Sequence, residues 1–157
     1  MSSPIIRRAT IEDLSQLAQL FDAYRQFYEQ APDIALANTF IADCINKQAS
    51  VIFVAAKNET NGVQKQLIGF CQIYPSFCSI MAAKIGVLYD LFVDTTARKT
   101  GAGRALMLAA HNYAANNGMA RLDLSTAKNN LKAQALYESL GWARDNVFYT
   151  YSKEILT

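Results

Sequence analysis

Apolar side chains recur along this chain with two different periods, and those periods divide it into elements. Residues 4–9 predict a short first strand. Thr10 stands before Ile11-Glu12-Asp13, a helix-start signal with Asp13 at the capping-box position. Leu14, Leu17, Ala18, Phe21, Tyr24 and Tyr28 then recur every three or four residues, which is one face of a long helix ending before Pro32. A second helix is expected over 34–47, burying Leu36, Ala37, Phe40, Ile41, Cys44 and Ile45. The β-branched run Val51 to Ala56 predicts a buried strand. Asn61-Gly62 is a turn signal, and Leu67 to Tyr74 returns as the second arm of a hairpin. Pro75-Ser76 is read as its end, 76–84 as a loop, and Ile85 to Val93 as the central strand.

The second half has a different rhythm. A helix is predicted from about 101 to 116, with Leu106, Ala109, Ala110 and Tyr113 on its core face and Gly118 as its stop. Residues 121–126 form a strand parallel to the central one, reached by a right-handed crossover. Another helix runs from about 130 to 140 and stops at Gly141, and the alternating tail Val147 to Ser152 reads as a last strand. The order is β-α-α-β-β-β-α-β-α-β. It implies an α+β fold, a three-layer arrangement with a mixed, mostly antiparallel twisted sheet flanked by helices. No linker, repeat or low-complexity tract interrupts it, so residues 1–157 read as a single domain.

Composition narrows the function. The 157 residues are 52% hydrophobic and carry a net charge of +2 from 15 basic and 13 acidic side chains. So small an excess argues against nucleic acid as a main partner. Three cysteines without C-x-x-C spacing and a single histidine, His111, make a metal site improbable and fit reduced thiols in a cytoplasmic protein. With no basic partner in view for a cysteine, acyl-cysteine chemistry is disfavoured, and His111 is read as a surface or packing residue. The N-terminus has no signal-peptide core, and no apolar run is long enough to span a membrane.

One stretch carries chemistry. From Leu88 to Leu106 an apolar strand gives way to a polar loop and then a helix opening on two glycines, Gly101 and Gly103. Arg98 and Lys99 precede the glycines and Arg104 follows them. Helix N–H groups, helix dipole and fixed positive charge make an anion site suited to a phosphate or pyrophosphate. A dinucleotide fingerprint with Asp123 as its acidic residue is the rival reading. It fails because the long loop Asp94 to Thr100 separates strand from glycines and Leu106 stands where the third glycine belongs.

Arg98-x-x-Gly101-x-Gly103 resembles the acetyl-coenzyme A signature of the GNAT family of N-acetyltransferases. About 30 residues on, Asn130-Leu131-Lys132-Ala133-Gln134-Ala135-Leu136-Tyr137-Glu138-Ser139-Leu140-Gly141-Trp142 is similar to the family's second motif, with Trp142 for the usual aromatic. Leu91-Phe92-Val93 resembles the family's bulged strand, and the order of elements matches along nearly the whole chain. The resemblance implies that Arg98, Lys99, Thr100, Gly101, Ala102, Gly103 and Arg104 hold the coenzyme pyrophosphate. It implies that Leu91, Phe92 and Val93 pair with the pantetheine arm, that Asn130 hydrogen-bonds the cofactor, and that Tyr137 contacts it and protonates the departing thiolate. Asp90, on the same strand, is the candidate to attract or deprotonate a cationic amine. Tyr24, Tyr28 and Glu29, at the end of the first helix, are the candidate acceptor contacts. Leu-x-Asp-x-Phe-Val is also similar to polyamine and thialysine acetyltransferases of the family, although Tyr89 stands where an acidic pair would be completed by a second carboxylate.

The expected activity is therefore direct acetyl transfer from acetyl-coenzyme A to a primary amine of a small molecule, without a metal. Protein N-termini or lysines are the alternative acceptors, a non-catalytic acyl-coenzyme A sensor is the alternative class, and a homodimer is implied by the resemblance.

Overall fold

A computed structural model describes residues 2–58 and 65–155. The Asn61-Gly62 turn signal lies outside them. By internal contacts the chain divides into two units, residues 1–125 and 126–157.

The first unit is a five-stranded sheet in the order β1-β2-β3-β4-β5. The strands are β1 (Ile5–Arg8), β2 (Val51–Ala56), β3 (Leu67–Cys78), β4 (Ala83–Val93) and β5 (Leu122–Asp123). The first four pair antiparallel, and β5 pairs parallel with β4 through Gly86–Leu122 and Val87–Asp123. Helices α1 (Leu14–Phe27) and α2 (Ile34–Asn46) cover one face. There Leu17, Phe21 and Ile41 meet Ile52, Val54, Phe70 and Phe92 in the main apolar cluster. Helix α3 (Ala102–Asn116) lies against the other face, where buried Cys71 donates its thiol to the Leu106 carbonyl at 3.7 Å.

The start of α1 follows its sequence signal. Asp13 accepts the Thr10 N–H at 2.9 Å, and Arg7 holds both of its carboxylate oxygens at 2.7 Å. Those bonds keep its carboxyl below the usual carboxylate range. A short 3-10 turn, Ile11–Asp13, precedes the regular helix.

Helix α1 ends before Pro32, as expected: it stops at Phe27, where Glu29 adopts φ 63° and a closing pair of bonds forms, Glu29 N–H to Gln26 O and Gln30 N–H to Arg25 O. Several other expectations are corrected. Leu36 and Phe40 of α2 are exposed rather than buried. Strand β3 runs through Pro75 to Cys78, and Ala83 already belongs to β4, so 76–84 is mostly strand around a tight connection. Pro75 is tolerated because pairing of β2 with β3 ends at Val51–Ile73, which leaves that side of Pro75 without a ladder to donate to. Residues 121–126 shrink to the two-residue β5.

The second unit contains α4 (Leu131–Ser139). Asn130 caps it, accepting the Ala133 N–H at 3.3 Å, and Gly141 at φ 84° ends it as expected. The tail is not a strand among the described residues. Val147, Phe148, Tyr149, Tyr151 and Ile155 are all more than two-thirds exposed.

Candidate active site

Strand β4 positions most of the candidate residues, and a bulge decides how. Asp90 pairs with Gln72 and Leu88 pairs with Ile73, so Tyr89 is an extra residue on β4. Successive residues of β3 face opposite ways, so Asp90 and Leu88 face opposite ways too, although they stand two apart. Asp90 and Phe92 turn toward α1, and Leu88 turns toward α3.

Asp90 is 2% exposed and among the described residues joins no salt bridge. Gln72, fully buried, donates its amide N–H to the Asp90 carboxylate, and Ser50 donates to the Gln72 carbonyl at 2.6 Å. The Tyr24 hydroxyl, bonded to the main-chain carbonyl of neighbouring Tyr89, lies beside the Asp90 carboxylate and interacts with its charge. Burial pushes the Asp90 carboxyl above its ordinary range, and Gln72 and Tyr24 pull the other way. The Tyr24 hydroxyl lies 3.2 Å from the carbonyl of Tyr89, the bulged residue. Its ring packs edge-on against Tyr28, Phe70 and Phe92, with centroids 5.2, 6.0 and 6.3 Å away. Burial and the negative Asp90 raise the ionisation of the Tyr24 phenol well above its ordinary value.

The bulge leads to a second feature. Strand β5 pairs with β4 only at Gly86 and Val87, so beyond Val87 the outer edge of β4 pairs with no strand among the described residues. Main-chain groups of Leu91, Phe92 and Val93 border an edge able to take an extended amide chain as an added strand.

That edge runs into the glycine loop. Asp94 accepts both the N–H and hydroxyl of Thr96, at 2.8 and 2.6 Å, shaping a 3-10 turn at Thr95–Ala97. Thr100 donates its hydroxyl to Ala97 O at 2.8 Å. Lys99 (φ 67°) and Gly101 (φ 82°) are both left-handed, which turns the chain sharply into α3. No side chain caps α3, and its first internal bond runs from Ala105 N–H to Gly101 O at 3.0 Å. The N–H groups of Ala102 and Gly103, ahead of it, have no carbonyl a turn back to bond. Arg98, Lys99 and Arg104 line this start with exposed positive charge. The arrangement fits a phosphate or pyrophosphate.

The structure therefore brings Tyr24, Asp90 and the β4 edge together, and sets the loop at the end of the same strand. Tyr28, the C-cap of α1, packs edge-on against Tyr24, whereas Glu29 is exposed at the left-handed turn that follows. In the second unit Tyr137 is half-buried on α4, its ring 6.2 Å from Trp142, and Asn130 uses its carbonyl oxygen as the helix cap. Among the described residues no group of three or more His, Cys, Asp or Glu is placed to hold a metal. None of their helices is long and apolar enough to cross a membrane. A cleft of about 340 Å³, lined by Arg8, Ala9, Ile45, Gln48, Ser50 and Ile52, lies at the Ser50 end of β2, away from the glycine loop. Sequence reasoning missed Gln72 and Ser50. The available signal was Gln72 itself, the single amide in the otherwise apolar run Leu67–Ile73.

A mixed sheet whose β4 edge leads into an anion-receiving helix start suits an acyl carrier with a phosphate-bearing arm. The chain belongs to the Acetyltransferase (GNAT) family, whose profile matches residues 14–142, and it is an N-acetyltransferase. It is similar to an uncharacterized N-acetyltransferase of Bacillus subtilis, YhfO, with 42% identity covering 93% of this chain and 94% of that protein. A probable acetyltransferase of Haemophilus influenzae is 27% identical over 74% of this chain and 77% of its own. A solved probable acetyltransferase superposes with a TM-score of 0.88 at 33% identity, covering 98% of this chain and 99% of that one. An aminoglycoside acetyltransferase from a soil metagenome shares the fold, with a TM-score of 0.74 at 22% identity over 97% of each chain.

Proposed function

We propose that the protein transfers the acetyl group of acetyl-coenzyme A directly to a primary amine of a small molecule, within a ternary complex and as one domain over residues 1–157. The observation that carries this reading is the edge of β4, unpaired among the described residues, leading into the left-handed start of α3, which no described side chain caps. The residues from Arg98 to Arg104 hold the pyrophosphate, and Leu91, Phe92 and Val93 pair with the pantetheine amides. When bound, acetyl-coenzyme A supplies an acetyl group activated as a thioester. A main-chain N–H of Phe92 or Val93 on the open edge stabilises the charge that develops on the thioester oxygen. Asp90 draws in the cationic amine and takes its proton, while Tyr24, Tyr28 and Glu29 border the acceptor. Asn130 hydrogen-bonds the coenzyme, and Tyr137, a phenol protonated at neutral pH, supplies the proton for the departing sulfur.

A screen of small amines, peptides with free N-termini and lysine peptides, read by thiol release from acetyl-coenzyme A, tests the reading. Turnover of small amines is expected. Turnover of peptides alone moves the acceptor class to proteins, and coenzyme binding without thiol release from any amine leaves a sensor domain. Tyr137→Phe is expected to lower kcat by about 10²-fold while coenzyme affinity stays near wild type; an unchanged kcat removes Tyr137 as the acid. The reading includes a cytoplasmic setting and a homodimer, the latter supported by the exposed apolar side chains of the final segment. Sedimentation equilibrium tests the dimer.

A further inference from the structure

Among the described residues, the Asp90 centre lacks one thing a buried carboxylate normally has, a cation. The titratable groups around it are Tyr24 and Tyr28 from α1, Cys44 from α2, and Cys71 and Tyr74 from β3. All are phenols or thiols, neutral in their ordinary state, and burial raises every one of them further from ionising. A carboxylate desolvated to this degree is costly unless an opposite charge arrives. Meanwhile the Gln72 amide donates to it, and the Tyr24 hydroxyl stands beside it on the Tyr89 carbonyl. The Ser50 hydroxyl fixes which way the Gln72 amide faces, since it occupies the carbonyl end and leaves the N–H for Asp90.

Ser50, Gln72 and Asp90 are buried, whereas Tyr24 beside them is only half-buried. Its hydroxyl donates to the Tyr89 carbonyl at 3.2 Å, which is long for an O–H bond, and the neighbouring Asp90 carboxylate is the acceptor to which it can turn. Three aromatic rings fix the tyrosine in that position. Asp90 itself, 2% exposed, is screened from an incoming amine.

We propose that Tyr24 relays the proton of the bound ammonium to Asp90, and that Gln72, anchored by Ser50, is a positioning residue that keeps the carboxylate ready to receive it. The inference rests on the amine acetyl transfer proposed above. The ammonium gives one proton to the Tyr24 oxygen as the Tyr24 hydroxyl proton passes to Asp90. The N–H bond breaks with its electron pair left on nitrogen, the tyrosine ends neutral, and the positive and negative charges cancel. The acceptor class follows: an aliphatic amine that is cationic at neutral pH, since a neutral aryl amine or an alcohol brings no charge to compensate Asp90.

Two measurements on the full-length protein test this, titration of the Asp90 carboxyl by carbon NMR and the pH profile of kcat/KM for the amine that turns over fastest. Gln72→Met removes a donor from the carboxylate. It is expected to raise the Asp90 midpoint and the acidic limb of the rate profile together, by about one to two pH units, with the wild-type plateau recovered at higher pH. Ser50→Ala, a milder change, is expected to move both the same way by less. Tyr24→Phe is expected to lose about 10²-fold in kcat at every pH, without recovery. A carboxyl midpoint that moves while the rate profile stays fixed overturns the positioning role, as does a profile unmoved in both Gln72→Met and Ser50→Ala. Wild-type rates in Tyr24→Phe overturn the relay. An inert wild type that binds coenzyme A overturns acetyl transfer itself and the relay with it, whereas an active wild type with unmoved profiles in Gln72→Met and Ser50→Ala and wild-type rates in Tyr24→Phe overturns the positioning role and the relay and leaves acetyl transfer standing.

Discussion

The glycine loop and the Asp90 centre flank the same few residues of β4 and are built by opposite means. The loop is contiguous in sequence, largely exposed, and works through main-chain N–H groups, two left-handed residues and a helix start. The Asp90 centre is buried and works through side chains drawn from partners 18, 22 and 65 positions apart in sequence. Every protein chain carries N–H groups, so a short motif is enough to aim them at a phosphate. Side chains must be brought together by the whole fold, and no local pattern records that.

The contrast can be broken at either end. The largest effect is expected from Asp90→Asn, which keeps the shape and one acceptor oxygen but not the base, and should lower kcat/KM by about 10²- to 10⁴-fold. The same change should raise thermal stability at neutral pH. A carboxyl whose folded-state ionisation is raised stabilises fully only below its unfolded value and loses that contribution as pH rises through the folded one. The gain in Tm over wild type should therefore shrink as pH falls toward 4 and vanish below it, which calorimetry across pH will show. Gly103→Leu comes next. It should weaken coenzyme A at least tenfold, about 1.4 kcal/mol, with the amine KM little changed; equal binding by calorimetric titration would remove the loop as the phosphate site. Gly101→Ala should cost about 1–2 kcal/mol of folding stability, because a Cβ meets nothing within 4 Å there and only the left-handed backbone opposes it. The smallest effect is a control outside both regions. Gln48 sits left-handed at φ 50° after α2, and Gln48→Gly should stabilise by up to about 1 kcal/mol in urea unfolding.

That control also shows how much of the fold the sequence made legible. All four helices end with the same pair of closing bonds around a left-handed residue. Two of those residues are Gly118 and Gly141, and both stops were readable. The other two are Glu29 and Gln48, which carry no such mark; α1 nonetheless ends before Pro32 as expected, and α2 ends at Asn46 rather than at 47. Pro75 misled in the opposite direction. A proline interrupts a strand only where its missing N–H was owed to a neighbour, and which side of β3 is free is a property of the sheet, not of the segment. The tail misled for a related reason: alternation describes a strand that has an edge to join, and sequence supplies the pattern without the edge. The loop from Arg98 to Arg104 was legible because its function is local. Gln72 was visible only as an amide in an apolar run, and its meaning appeared when the register set it opposite Asp90.

The bulge at Tyr89 has a consequence for how this protein tolerates change. It acts as a phase shift between the two halves of β4. Substitutions along the strand leave the phase alone, but losing or gaining one residue between Leu88 and Asp90 exchanges what the two faces present. Such a deletion would turn the carboxylate toward α3 and carry the acceptor side's chemistry into the wrong layer. Variation in this family member should therefore accumulate by replacement within β4, while its length stays fixed, and a library mixing point changes with single-residue deletions would separate the two by activity.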